Sequence, residues 1–300
     1  MINDSGIERV TLRNLFFYGR EKLKTAGIAE YENDAYELLF YAFGTDRSTY
    51  AFRMNEDLKC DSAAADYYSY IERRCGREPL QYITGKAYFF GYEFYVNNAV
   101  LIPRYDSEVL VDRAVNFLKS SFPKDRDISV LDMCSGSGCL LISVLKETYP
   151  YFPKIKGKGC DISPDAIRVA EINAQKLDVR AEFVQSDLFE NAGGKYDLII
   201  SNPPYIRPEV IEELEPEVRD FEPGIALDGG ADGLDFYRKI SGEAVYHLRE
   251  KGTLIFEIGH DEGSAVNEIM KDNGFINIRT FKDLCGNDRV VMGERSDGFR

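Results

Sequence analysis

The stretch DISVLDMCSGSGCLLISVLKE, residues 127–147, decides the fold. An apolar run from Ile128 to Leu131 ends at Asp132, glycines follow at 136 and 138, and an apolar helical segment resumes, so the order is strand, glycine turn, helix. The next segment, GKGCDISPDAIRVAEINAQK (157–176), repeats strand and helix, with Ser163 and Pro164 placed as a helix start. AEFVQSDLF (181–189) and YDLIISNPPY (196–205) read as two further strand endings, and KGTLIFEIG (251–259) and DRVVMGE (288–294) as late strands. Strands separated by helical lengths imply an α/β fold with a mostly parallel, doubly wound sheet. No internal repeat is evident.

Outward from this centre the texture changes twice. SEVLVDRAVNFLKSSF (107–122) reads as a helix led by Ser107, and before it PLQYITGKAYFFGYEFYVNNAVLIP (79–103), rich in aromatic and β-branched residues, reads as a short hairpin or extended connector. The first 84 residues read as a small helical domain: Leu12, Leu15, Phe16 and Leu23 recur at helical spacing, and Gly44 and Gly76 are plausible helix stops. The expected organisation is a helical domain over 1–84, a hairpin linker over 85–105 and an α/β domain over 106–300.

At 300 residues, 44% hydrophobic and 13% aromatic, the chain has ample material for a folded core. Its net charge of −14 argues against broad electrostatic attraction to nucleic acid and favours a protein partner or a small substrate. The six cysteines, 60, 75, 134, 139, 160 and 285, form no CxxC pair and have no histidine nearby, so structural thiols and no metal site are expected. The start, MINDSGIERVTLRNLFF, lacks the basic and then apolar organisation of a signal peptide, and no run approaches the roughly 18 apolar residues of a membrane span. A cytoplasmic protein is the expectation. The two isolated histidines, His247 and His260, make a poor acid–base or metal pair and read as packing or turn residues, while Arg289 reads either as a strand-edge ion-pair partner or as support for a site.

In an open α/β sheet, ligands sit beyond the carboxyl ends of the strands, and here these ends carry polar groups. Gly136 and Gly138 permit a tight turn and close approach to backbone N–H groups, although Cys134 stands where a full dinucleotide fingerprint has a glycine. Asp161 can accept both hydroxyl protons of a ribose or can serve as a turn acid. Asp187 can accept from an exocyclic amine, with Leu188 beside a base. Asn202 offers a carbonyl oxygen and an NH2 group but no useful base, and Pro203 and Pro204 stiffen the backbone around it, so that end of the sheet suits holding a planar polar group.

The series LDMCSGSGC, CDISPDAIRVAEINA, QSDLF and NPPY resembles the class I S-adenosylmethionine-dependent methyltransferases. REPLQYITG, FYVNNAVLIPRYDSEVLV, ALDGGADGLDFYR and CGNDRVVMG narrow the resemblance to the release-factor glutamine methyltransferases, also called HemK or PrmC proteins. The resemblance spans essentially the whole chain and implies a seven-stranded methyltransferase sheet behind an N-terminal helical domain that docks the release factor. It implies S-adenosylmethionine as cofactor and N5-methylation of the glutamine in the GGQ loop of bacterial class 1 release factors, by a monomer with neither a membrane nor a DNA partner. Carried over by position, Asp132, Cys134, Ser135, Gly136 and Gly138 match the first-strand cofactor motif. Asp161 and Ile162 match the ribose side, Asp187 and Leu188 the adenine side, and Asn202, Pro203, Pro204 and Tyr205 the catalytic and substrate-binding tetrapeptide, Asn202 also touching cofactor. LIPRYDSE departs from the usual IPRPDTE at Tyr105 and Ser107, and Cys134 and Ser135 stand where the family usually has Gly-Thr. Two alternatives are DNA adenine N6-methylation, whose acceptor is also a planar NH2, and a noncatalytic S-adenosylmethionine-binding module. The chain lacks the basic module or long recognition insertion that the first would need, and its intact motifs argue against the second.

Overall fold

A computed structural model describes residues 10–58 and 62–297. The acidic start (1–9) and Cys60 lie outside the described residues. Two compact units are present, one formed by Met1–Gly85 with Pro216–Phe221, the other by Lys86–Glu215 with Glu222–Arg300.

The first unit holds helices α1 (Leu12–Thr25), α2 (Tyr31–Phe43), α3 (Arg47–Arg53), α4 (Ser62–Cys75) and α5 (Leu80–Thr84). The apolar stripe of α1, Leu12, Leu15, Phe16 and Leu23, packs with Leu38 and Leu39 of α2 and Tyr67 and Ile71 of α4. Burying each of these aliphatic side chains contributes about 1.5–3 kcal/mol relative to exposure. Gly19 lets α1 approach α4, because a Cβ there would lie 2.0 Å from the Tyr67 hydroxyl oxygen. Thr11 caps α1 by accepting from the Asn14 N–H, and α2 stops at Gly44 in the left-handed region. Arg74 donates to Asp34 at 2.8 Å and to Glu217 at 2.9 Å, so the inserted Pro216–Phe221 segment supplies a partner for a buried charge of this unit.

The second unit opens with the antiparallel hairpin β1 (Lys86–Phe89) and β2 (Tyr92–Tyr95). Its two-residue turn has positive φ at both Phe90 and Gly91, the geometry that matches strand twist. The hairpin is more than a linker: Phe89 and Phe94 are built into the core of this unit.

The order then runs α6 (Glu108–Ser121), β3 (Ser129–Met133), α7 (Cys139–Thr148), β4 (Lys156–Asp161), α8 (Pro164–Lys176), β5 (Ala181–Gln185) and β6 (Tyr196–Ser201). The short helix α9 (Pro208–Ile211) follows, then α10 (Pro216–Arg219), which belongs to the segment counted with the first unit, and the second unit continues with α11 (Asp235–His247), β7 (Leu248–Glu257), α12 (Gly263–Asp272), β8 (Phe275–Lys282) and β9 (Asp288–Arg295). The seven-stranded sheet has the order β5-β4-β3-β6-β7-β9-β8, with β5 to β7 parallel and β9 antiparallel to both of its neighbours. This is the mostly parallel doubly wound α/β sheet expected of a class I methyltransferase.

Alternation along the strands sorts the core onto two faces. Val130, Leu198, Ile200 and Ile255 face α6, α7 and the hairpin, whereas Leu131, Ile199, Leu254 and Phe256 face α11 and α12. At the amino end of β6 the buried Asp197 accepts from the Ser129 N–H, from Arg126 and from Arg249, tying β6 to the segment before β3 and to β7. The chain runs from β3 through β4 to β5 on one side, then returns from β5 to β6 on the other side of β3, so the strand order reverses there and a crevice opens at the carboxyl ends of β3 and its neighbours.

Candidate functional site

A cavity of about 320 Å³ occupies that crevice, within the size range of small-molecule sites. Its wall contains Cys134, Ser135 and Gly136 from the turn after β3, Asp161 and Ile162 from the end of β4, Asp187 and Leu188 after β5, and Asn202 and Pro204 after β6. Four strand ends thus converge on one volume. Asp132, Gly138, Pro203 and Tyr205 are not part of this wall. Asp132 is fully buried beneath the turn, Gly138 leads into α7, and Tyr205 packs against the α11–α12 face of the core.

The glycine turn is held by Asp161, whose Oδ2 accepts from the Gly136 N–H at 2.8 Å while Oδ1 accepts from the Ser163 N–H at 2.9 Å. Each carboxylate oxygen keeps a second lone pair, so the turn role and an acceptor role toward a ligand coexist in one side chain. Burial pushes the Asp161 carboxyl up, offset by those backbone bonds. Cys134 sits at φ 62, where a glycine is easier, and burial raises its thiol. Leu188 is likewise left-handed at φ 46, its carbonyl accepting from Ser186 Oγ at 2.7 Å.

Behind the turn lie polar atoms without partners among the described residues: both oxygens of Asp132 and Oγ of Ser135. Burial pushes the Asp132 carboxyl well up. Asp161 and Asp187 in the wall give this end of the crevice acidic character, which suits a cationic moiety and a ribose better than a phosphate. The residues present therefore fit an S-adenosylmethionine-type ligand.

Residues distant in sequence complete the wall: Leu101, Pro103 and Arg104 before α6, Pro223 and Ile225 before α11, and Lys239 on α11. Arg104 pairs with the buried Glu222, which also accepts from the Ile102 N–H, joining the first two of these segments. The ALDGGADG stretch packs on the chain just after Asn202. A Cβ on Gly229 would lie 2.5 Å from Tyr205 Cα, and the Ile206 N–H donates to Leu227 O while the Gly229 N–H donates to Ile206 O. Gly229 and Gly233 are needed for that close backbone approach.

Residues 14–85 match the model of the PrmC N-terminal domain and residues 105–214 that of the methyltransferase small domain. A solved release factor-specific protein-(glutamine-N5) methyltransferase from Alicyclobacillus acidocaldarius is 29% identical, with 68% of this chain and 99% of that chain covered and a TM-score of 0.40. The release factor glutamine methyltransferase of Clostridium acetobutylicum is 38% identical over 91% of this chain and 94% of its own. That of Caulobacter vibrioides is 39% identical over 96% and 97%. The chain belongs to the release factor glutamine methyltransferase family.

Two further residues stand out that the motifs did not mark. Asn173 on α8 is fully buried: its Oδ1 accepts from the Tyr95 N–H at 2.6 Å, and its Nδ2 donates to Tyr95 O and to Ser137 O, both at 3.0 Å. It ties the hairpin to the glycine turn. Glu257, the last residue of β7, is 2% exposed and its carboxyl is pushed up to about 7 by burial. The Ser107 hydroxyl, the Arg289 charge and the Asn202 side chain pull the other way, and Asp106 adds to the rise. Ser107, one of the departures from the usual family pattern, keeps a hydroxyl toward this glutamate. Arg289 pairs with Asp106 and Asp283, and its charge reaches Glu257 and Tyr205. His247 stacks on Phe189 and His260 is exposed beside Asp261. Among the described residues no cluster of His, Cys, Asp or Glu could hold a metal ion, and no helix is long and apolar enough to cross a membrane.

Proposed function

We propose that this protein transfers a methyl group from S-adenosylmethionine to the side-chain nitrogen of the GGQ glutamine of class 1 peptide chain release factors, in the cytoplasm and as a monomer. The observation that carries the proposal is Asn202 in the wall of an acidic, ribose-compatible crevice in a chain of this family. Nothing in the crevice favours the DNA adenine alternative.

When bound, S-adenosylmethionine supplies an electrophilic methyl carbon on a sulfonium. The difficult partner is the acceptor, because an amide nitrogen lone pair is delocalised into its carbonyl. Asn202 Oδ1 accepts a hydrogen bond from one amide N–H and the Pro203 carbonyl from the other, which aims the nitrogen and raises its electron density, while Tyr205 supports the loop that carries both; one of the two amide protons leaves to water once the nitrogen carries the methyl group. Asp161 accepts from the ribose, Asp187 and Leu188 serve the adenine, and the turn at Cys134, Ser135 and Gly136, with Asp132 behind it, faces the amino acid end. Rate enhancement then comes from alignment and electrostatics, with direct transfer and no covalent enzyme intermediate. The first unit docks the release factor.

Single-turnover methylation of a release factor, at saturating donor and acceptor, tests the assignment. Asn202→Ala is expected to bind S-adenosylmethionine near parent affinity and to methylate much more slowly, because the lost interaction tightens in the transition state. Asn202→Asp is expected to retain more activity than Asn202→Ala, since it keeps an acceptor oxygen. A parent-like rate in Asn202→Ala would remove Asn202 from the mechanism.

A further inference from the structure

An asparagine can hold a substrate N–H only if its oxygen, and not its NH2 group, faces the substrate. The two ends of the side-chain amide are nearly the same size, so sterics alone do not select between them. The sheet provides a selector. β6 and β7 run parallel with Ser201 opposite Phe256, so one step further along both strands brings Asn202 beside Glu257. Glu257 is almost fully buried there, and its Oε2 has no hydrogen-bond partner among the described residues. An ionised carboxylate only accepts hydrogen bonds. Beside Asn202 it takes the NH2 group and rejects the oxygen, and the Asn202 side chain in turn favours the ionised form of Glu257.

We propose that Glu257 is a positioning residue: by accepting from Asn202 Nδ2 it turns Oδ1 toward the acceptor amide. This role rests on the function proposed above and deepens it. It explains why a carboxylate is kept where desolvation opposes it, since a neutral acid at the same place would offer a donor and let the Asn202 amide turn over.

The surroundings give the role a pH signature. Arg289 on β9 attracts the Glu257 charge and Asp106 on the turn before α6 repels it. Tyr205 after β6, Tyr237 on α11 and Cys139 on α7 also face it, and burial pushes all three upward, so they stay neutral while Glu257 titrates near 7. Glu262, also pushed up to about 7, reaches Tyr237 and Tyr205 instead of Asn202.

The test is single-turnover methylation of a release factor across neutral pH, with S-adenosylmethionine affinity measured in parallel by calorimetry. The parent rate is expected to rise with pH through about 7 as Glu257 ionises. Glu257→Gln is expected to be roughly tenfold to a hundredfold slower, the scale of a misplaced reactive group, with a flat profile and near-parent cofactor affinity. The rising limb is expected to persist in Glu262→Gln. Because Glu257 acts through Asn202, the double variant Asn202→Ala/Glu257→Gln should be no slower than Asn202→Ala alone. Multiplying effects, a parent-like Glu257→Gln, or a limb that vanishes with Glu262 would overturn the role in a parent that methylates. A parent that leaves the release factor unmethylated would overturn the function itself, and this role with it.

Discussion

Cys134 occupies left-handed backbone, φ 62, at the turn where the dinucleotide fingerprint and the family both place glycine. For a residue with a Cβ that conformation costs about 1–2 kcal/mol. Its thiol packs against the core at the same time, so replacing it changes two terms at once. Comparing Cys134→Gly with Cys134→Ala removes the thiol from both variants and isolates the backbone. The glycine variant is expected to be the more stable by about 1 kcal/mol, the reverse of the usual order for these two residues. Denaturant midpoints at constant slope measure it, and an alanine variant as stable as the glycine variant would mean the turn carries no strain. This feature was legible in the letters, since one cysteine interrupts a glycine pattern. Glu257 was not, because in TLIFEIG it reads as the polar end of an apolar strand, and its partner Asn202 lies 55 positions earlier, as the numbering shows.

At the scale of elements, the alternation of strand and helix announced the sheet, and the polar strand ends at Asp161, Asp187 and Asn202 announced the crevice. Both signals are local in sequence, so they survive without coordinates. The rest of the wall is not local: Pro223 and Ile225 reach it through loop geometry, and Gly229 and Gly233 are explained by the approach of Tyr205 backbone. Asn173 shows the same limit. In AEINAQK it looks like one more polar residue on a helix, yet it satisfies the hairpin backbone and the Ser137 carbonyl together. Asn173→Ala strands those buried groups and is expected to cost about 2–4 kcal/mol of stability, most of it from leaving donors and acceptors unpaired. It should also weaken S-adenosylmethionine binding, since the glycine turn loses an anchor. Chemical denaturation with calorimetric titration would check both, and unchanged values would reduce Asn173 to a bystander.

For the molecule as a whole, the net charge of −14 and the buried acids act in one direction. Glu257 and Glu262 both have folded-state values raised to about 7, above those of an unfolded glutamate. Their contribution to stability is therefore fully present below the ordinary glutamate range and is lost as pH rises through about 7. The melting temperature is expected to be lower at about pH 8 than at about pH 6, and Glu257→Gln, neutral throughout, should show a smaller fall. A melting temperature that climbs over that interval would contradict the buried, raised carboxyls. The central claim concerns what the folded molecule does, and donor labelling tests it most directly. The parent protein is incubated with methyl-labelled S-adenosylmethionine and, in separate reactions, a class 1 release factor, the same factor with its GGQ glutamine changed to alanine, and duplex DNA. Label on the intact release factor alone is the expected result; equal label on the alanine variant, or label on DNA with none on the release factor, would contradict the account.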